Sequence, residues 1–232
     1  MARSKLSTSA TGGLRAAVAA AALLAAGNTW ATDFVVTSLA DNTASDGDVT
    51  LREALIAAST NASAGDAPAG EVDGDSITFA PGLLELAEPT ITLNSNLGAL
   101  SIDDDVVIDG SIGLTGLVSL TVDAGGMQRA FSIDASGGAG SMQSVTISSI
   151  NITNGASDSS GGAMQIVAGS EVALEDVSIS GSVANGTNAD QGGGAIFNAG
   201  TLSISGGSFN GNSAPMGSGS GCLLYTSPSP RD

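Results

Sequence analysis

The chain has 232 residues, with 23 acidic and 6 basic side chains, a formal net charge of −17, one cysteine and no histidine. The lack of histidine and of a second cysteine excludes zinc ligation by Cys and His, and also Ser-His or Cys-His nucleophilic catalysis. The acidic balance disfavours binding to nucleic acid or to anionic lipid, because both need basic patches.

The first 31 residues have the composition of a secretory signal peptide. The segment MARSKLSTSATGGLR carries three bases and no acid, and the apolar run AAVAAAALLAA follows at residues 16–26. Thr29 and Ala31 supply the small residues expected before a cleavage site. The apolar run is about half as long as a membrane-spanning helix requires. We therefore predict a signal peptide over residues 1–31, no transmembrane segment, and a secreted or cell-surface protein.

The last eleven residues, CLLYTSPSPRD (222–232), contain the only cysteine and the only tyrosine of the chain. They can be back-translated into a DNA string that resembles the transposase adapter of shotgun sequencing libraries. We expect this segment to be translated adapter, with the gene truncated near Gly221. Residues 32–221 then keep Arg52 and Arg129 as their only bases against 22 acids, a net charge of −20. A secreted chain without cysteine gains stability from repetitive packing or bound cations and not from disulfides.

After a predicted first strand at residues 33–40, the segment VTLREALIAAS (49–59) is the one convincing helix. Thr50 stands three residues before Glu53, the spacing of a capping box in which each side chain bonds the backbone N–H of the other. Apolar residues fall on one face at helical spacing: Leu51, Ala54, Leu55 and Ala58. A short helix with a single apolar stripe predicts a plug over the open end of another structure, so residues 32–75 are predicted to form an N-terminal cap.

From residue 76 the hydrophobic period changes to 2, and short strands are predicted at 76–79, 90–93, 100–102, 106–108, 120–122 and 131–133. Related strand pairs then begin at residues 145, 172 and 202, which are 27 and 30 residues apart. The tripeptide GGA recurs at 161 and 193, 32 residues apart. Repeats of this length indicate a solenoid, and strands broken by Gly and Asn predict β coils stacked about 4.8 Å apart. A β-sandwich is the alternative, which the in-phase repeat and the scarcity of aromatic residues disfavour.

These features together resemble a family of secreted bacterial proteins, the right-handed parallel β-helix proteins with an N-terminal CSLREA-type motif, within the pectin-lyase-like superfamily. VTLREA (Val49–Ala54) matches the motif, with Val49 and Thr50 in place of its Cys and Ser. DSITFAPGL matches a DTITF-type strand, and GGAIFNAGTLSISGGSFNGNSA is similar to the recurring unit of the family. The resemblance covers about Asp33 to Ala214. It implies an all-β, right-handed parallel β-helix with a short N-terminal capping helix, whose coils occupy residues 76–221, and it implies secretion.

Candidate site residues have both structural and functional interpretations. The triplet Asp103, Asp104 and Asp105, followed by Asp109, is the densest acidic cluster and a candidate for calcium binding. Calcium takes six to eight oxygens, whereas adjacent side chains on an extended chain point to opposite sides, so a solvated turn is the favoured interpretation. Thr50, Arg52 and Glu53 are predicted to form a structural cap, with Arg52 bonding carbonyls of the first coil or an Asp.

Two functions remain open at this level. The first is a non-enzymatic, adhesive or structural β-helix that presents a binding face to glycans or other cell-surface components. The second is a calcium-dependent polysaccharide lyase or a glycoside hydrolase of the same superfamily. A lyase needs a basic residue to abstract a proton, and residues 32–221 contain only Arg52 and Arg129. The first is therefore favoured, with no catalytic residue and no cofactor assigned, calcium excepted.

Overall fold

The computed structural model describes residues 32–72, 74–83, 88–111, 120–135, 144–188 and 191–216, and the backbone of 223–225. The predicted signal peptide lies outside the described residues, as does most of the predicted adapter segment. All ladders between the described strands are parallel. The prediction of a parallel β-solenoid is confirmed.

Three sheets run along the solenoid; β1 adds a strand to the first sheet alone, and each later coil contributes one strand to each sheet. The first sheet contains, in spatial order, β1 (Thr32–Val36), β2 (Asp75–Phe79), β5 (Val106–Asp109), β8 (Ser144–Ser148), β12 (Glu171–Glu175) and β16 (Thr201–Ser205). The second contains β3 (Thr90–Thr92), β6 (Leu120–Asp123), β9 (Ile150–Thr153), β13 (Ser178–Ser180) and β17 (Ser208–Asn210). The third contains β4 (Leu100–Ile102), β7 (Phe131–Ile133), β11 (Met164–Ile166), β15 (Ile196–Asn198) and β18 (Leu223–Tyr225).

Three smaller elements complete the described chain. The helix α1 spans Leu51–Thr60, and a single 3-10 turn spans Pro81–Leu83. The short strands β10 (Ala156–Ser157) and β14 (Val183–Ala184) pair with each other at one corner of two neighbouring coils.

The core is a set of columns in which equivalent apolar residues of successive coils stack. In the first sheet, Ile77, Ile108, Ile147 and Leu174 are in register, and all four are buried. Alternate residues of each strand point inward, so the period of 2 in the sequence becomes the lining of the solenoid. Burying such side chains stabilises the fold by about 1.5–3 kcal/mol each.

The repeated GGA tripeptide is explained by the close approach of two coils. Gly161 and Gly193 have φ angles of +66° and +68°, a conformation that side chains other than glycine rarely adopt. Gly162 has no room for a side chain, because a Cβ there would lie 2.7 Å from the backbone N of Val183 and even nearer to the carbonyl oxygen of Gly194. The coils are joined here by a hydrogen bond from Gly162 N–H to the carbonyl of Gly193 (3.2 Å).

The first strand is shorter than predicted. It ends at Val36 and not at Ala40, because the N–H groups of Thr37 and Ser38 turn to the carbonyl oxygen of Val49 (2.8 and 3.2 Å). The hydroxyl of Thr37 also accepts a hydrogen bond from the N–H of Val49 (2.8 Å). The chain is thereby drawn away from the sheet and towards the start of α1.

Among the residues that the structure describes, no helix is both long enough and apolar enough to cross a membrane.

Candidate functional site

Arg52 connects α1 to the turn between β3 and β4. Its guanidinium donates to both carboxylate oxygens of Asp41, from Nε to Oδ1 (2.6 Å) and from Nη2 to Oδ2 (2.9 Å). It also donates to the carbonyl oxygens of residues 97–99, at 3.3, 2.8 and 3.1 Å. The side chains of Arg52 and Asp41 are 8% and 2% exposed. Arg52 is therefore a buried clamp that joins α1 to Asp41 and to the turn at residues 97–99. Its guanidinium already has hydrogen-bond partners within the protein.

The start of α1 is held by a capping box. The N–H of Glu53 donates to Thr50 Oγ1 (3.2 Å), and the N–H of Thr50 donates to Glu53 Oε2 (2.9 Å). Both residues are fully buried. Gly65 packs against the Glu53 carboxylate so closely that a Cβ at this position would overlap it. The capping box thus also fixes the loop that contains Gly65.

Arg129, one coil further along the solenoid, forms a second set of hydrogen bonds that joins neighbouring coils. Its Nε donates to the carbonyl oxygen of Gly161 (2.9 Å), and its Nη2 donates to that of Ser160 (2.7 Å) and to the hydroxyl of Ser157 (2.8 Å). Burial lowers the pKa of the Arg129 guanidinium from its ordinary value. The pKa of arginine is so high that the group stays charged at neutral pH. Arg129 therefore holds the loop that precedes the GGA tripeptide at residue 161.

The four acidic calcium candidates have separate local partners. Asp103 accepts from the hydroxyl of Ser101 with both oxygens (3.0 Å each). The other three accept backbone N–H groups with one oxygen each: Asp104 from Asp105 (2.8 Å), Asp105 from Ser144, and Asp109 from Ser111 (2.7 Å). Across the described residues, no group of three or more His, Cys, Asp or Glu side chains has an arrangement that could hold a metal ion. The structure therefore does not bring these four side chains together as a calcium site.

Asp104 lies near enough to a second carboxyl group, that of Asp75, for their charges to interact. Asp75 is 1% exposed and lies at the start of β2. Burial is the main cause that raises the pKa of Asp75, and the charges of Asp104 and Glu71 raise it further. Burial likewise raises the pKa of Asp104, and the charge of Asp105 acts in the same direction. The stacking of β2 on β5 explains why residues distant in sequence share this environment.

The raised pKa values of Asp75 and Asp104 predict that the contribution of these two groups to stability falls as the pH rises. A carboxyl group with a higher pKa in the folded chain binds more protons there than in the unfolded chain. Its contribution is complete below the ordinary pKa of about 3.9 and is lost as the pH rises through the folded pKa. Asp75→Asn cannot ionise, so its free energy of unfolding should fall less than that of the native protein over this range. Urea titrations at several pH values measure this difference.

The control for this prediction is Asp158→Asn, which removes an exposed carboxylate at another place in the solenoid. The free energy of unfolding of this control should depend on pH as that of the native protein does. Equal pH dependence for Asp75→Asn and the native protein would show that Asp75 does not contribute as described.

A shallow groove of about 540 Å³ lies at the corner that follows the second sheet. Its lining comes from three successive coils, after β6, β9 and β13 respectively, so the coil spacing makes its floor about 10 Å long. The polar lining consists of the side chains of Asp123, Asn154 and Asn185. Gly125 and Gly126 also line the groove, and a Cβ at either would meet no atom within 4 Å. The floor is therefore open backbone with polar side chains along it.

Asp123 and Asn154 are held in place across two coils. The Nδ2 group of Asn154 donates to Asp123 Oδ1 (3.0 Å), which also accepts the N–H of Gly125 (2.9 Å). Asn154 has a φ of +54°, and Gly181 (+65°) occupies the equivalent place in the next coil. A carboxylate and an amide in fixed positions can together donate and accept hydrogen bonds, which is the chemistry that recognises hydroxyl-rich ligands.

A smaller cleft of about 240 Å³ lies between α1 and β4. Its walls include the exposed apolar side chains of Ile56 and Leu97, with Arg52 and Asp103 among its polar residues. The guanidinium of Arg52 is bonded to Asp41, and the carboxylate of Asp103 is bonded to the hydroxyl of Ser101. The groove at the corner therefore presents the more complete set of polar side chains.

Sequence reasoning missed the groove. Asn154 follows a strand as an ordinary turn residue, and Asp123 ends another strand 31 residues earlier in the chain. The signal that could have found them is the register of the repeat, since β6 and β9 pair so that Asp123 lies beside Thr153, the residue before Asn154.

Comparison of the chain with protein-family models, with curated proteins and with solved structures found no match. The class that the structure defines is a parallel β-solenoid with a polar groove at one corner.

Proposed function

We propose that this chain is a secreted or cell-surface β-helix protein that binds glycans or other cell-surface components without acting on them as an enzyme. We assign it to the right-handed, CSLREA-type proteins of the pectin-lyase-like superfamily on the basis of the sequence motifs described above. In this proposal α1 caps the N-terminal end of the solenoid.

The observation that carries the binding role is the groove at the corner of the solenoid. It combines the carboxylate of Asp123 with the amides of Asn154 and Asn185 over three coils. Asn154 and Asn185 are exposed, while the backbone beneath them is fixed by hydrogen bonds between the coils. A rigid surface of this kind loses little conformational entropy when it binds a ligand.

A non-enzymatic role is supported by the state of the two arginines. A lyase mechanism confined to residues 32–221 would need Arg52 or Arg129 to abstract a proton from the substrate. Arg52 is bonded to Asp41 and to three carbonyl oxygens, and Arg129 is bonded to the loop at residues 157–161. Neither guanidinium lines the groove. Both arginines have structural partners that a catalytic base would have to give up.

The capping role of α1 is supported by its burial and its contacts. The helix contacts β4 most extensively, and also β1 and β2. Of its first eight residues only Ile56 is exposed, although a single apolar stripe was expected from the sequence. An uncovered coil end would leave apolar side chains and strand edges open to solvent or to other chains.

The binding role predicts that removing the side chain of Asn154 weakens retention on a glycan array. Asn154→Gly suits this test, because glycine accepts the positive φ and already occupies the equivalent position as Gly181. We expect the bound signal to fall several-fold while the melting temperature changes little. Asn96→Ala, which removes an exposed amide outside the groove, is the matched control and should bind as the native protein does.

If Asn154→Gly and the native protein gave the same signals, the groove would not be the binding site. If no glycan on the array retained the native protein, the glycan-binding proposal would be wrong. Release of unsaturated uronides from pectin or alginate in the presence of calcium would instead support a polysaccharide lyase.

A further inference from the structure

We infer that the groove selects glycans that carry free amino groups, and that Asp123 pairs with the ammonium group of such a glycan. This inference rests on the proposed glycan-binding function and adds the chemical class of the ligand. The one charged side chain in the groove lining is that of Asp123.

The carboxylate of Asp123 is oriented for a further partner. Its Oδ1 accepts hydrogen bonds from Gly125 N–H and from Asn154 Nδ2, which fix the plane of the group. Among the described residues, the hydrogen bonds to this carboxylate both end at Oδ1, and no basic side chain pairs with Oδ2. Asp123 is half-buried, so a cation placed at Oδ2 interacts in a medium less polar than bulk water. An ammonium group offers three donors to such an acceptor.

The neighbouring side chains suit an amino sugar. The Oδ1 atom of Asn154 is the acceptor of no hydrogen bond among the described residues, and Asn185 presents a further exposed amide along the same groove. Hydrogen bonds from a charged donor to these acceptors are roughly twice as strong as those between neutral groups. Hydroxyl groups on the rest of the sugar would bond the remaining amide atoms.

The charge of the chain argues against the opposite class of glycan. Residues 32–221 carry a net charge of −20, and no basic side chain lines the groove. A polyuronate would therefore be repelled by the net charge, and its carboxylates would lie against Asp123 in the groove. The same field attracts a cationic glycan and speeds its association.

The test is isothermal titration with matched glycans of equal length: a deacetylated glucosamine oligomer, its N-acetylated form, a neutral glucan and a polyuronate. At low ionic strength and a pH that keeps the amine protonated, we expect the deacetylated oligomer to bind about tenfold more tightly than the acetylated one, a difference of about 1.4 kcal/mol. Asp123→Asn keeps an oxygen that can accept from Gly125 and Asn154, and it should abolish this preference. The preference should also weaken in salt.

Glu171→Gln is the control, because it removes one exposed negative charge on the first sheet, outside the groove. It should keep the preference. If Asp123→Asn also kept it, the preference would come from the overall charge of the protein and the assignment to Asp123 would be overturned. Equal binding of the acetylated and deacetylated oligomers would overturn this inference and leave glycan binding intact. Absence of binding to every glycan would overturn both.

Discussion

Replacing Arg52 with alanine is expected to lower the free energy of unfolding by about 3–5 kcal/mol, because it leaves the buried carboxylate of Asp41 without its charge partner. The substitution also removes the donors to the carbonyl oxygens of residues 97–99. A domain has a total stability of only about 5–15 kcal/mol, so the loss should be visible as a large fall in the urea midpoint and in the melting temperature.

The partner and a second arginine provide the controls for this prediction. Asp41→Asn and the double variant with Arg52→Ala complete a double-mutant cycle, which isolates the coupling between the two side chains. Arg129→Ala removes a guanidinium that has no carboxylate partner among the described residues, so its effect should be smaller. A melting curve for Arg52→Ala that matched the native one would show that the contacts of Arg52 do not stabilise the fold.

Replacing Gly162 with alanine is expected to destabilise the solenoid by about 1–3 kcal/mol, as overpacking of a tight contact does. The added Cβ would meet backbone atoms of Val183 and Gly194, which have no flexible side chain to move aside. Relief of the overlap would separate the two coils and weaken the hydrogen bond from Gly162 N–H to the carbonyl of Gly193. Chemical denaturation followed by circular dichroism measures the loss.

Gly82→Ala is the matched control for this substitution. Gly82 lies in the 3-10 turn, where a Cβ would meet nothing within 4 Å, and its φ is not in the left-handed region. Alanine at such a position is expected to stabilise by about 0.4–1 kcal/mol, by restricting the unfolded chain. Equal and small effects of the two substitutions would contradict the tight coil contact at the GGA tripeptide.

Much of the fold follows from local sequence patterns. The predicted strands at 100–102 and 131–133 coincide with β4 and β7, because each is a three-residue apolar-polar-apolar segment between turn residues. The Thr50 and Glu53 spacing predicted a capping box, and both of its hydrogen bonds are present. The strands β10 and β14 were not predicted, since Ala156–Ser157 and Val183–Ala184 have no alternating pattern and form only because the corners of two coils stack.

The groove could not be predicted from the sequence, for a different reason. Its polar side chains come from residues 31 or more apart, and they meet only once the register between β6, β9 and β13 is known. The partner of Arg52 was likewise open, because Asp41 is one acid among many in the loops that surround the helix. The aspartates at 103–105 were calcium candidates because they form the densest acidic run. Their carboxylates have separate hydrogen-bond partners.

The most direct test of this account is to recover a glycan from its complex with the protein and to measure its chain length and its ends. We expect the native protein to retain the glycan and to release it unchanged in length and without unsaturated ends. Shortened chains or unsaturated ends would show that the protein acts on the glycan as an enzyme, and that result would contradict the proposed binding role.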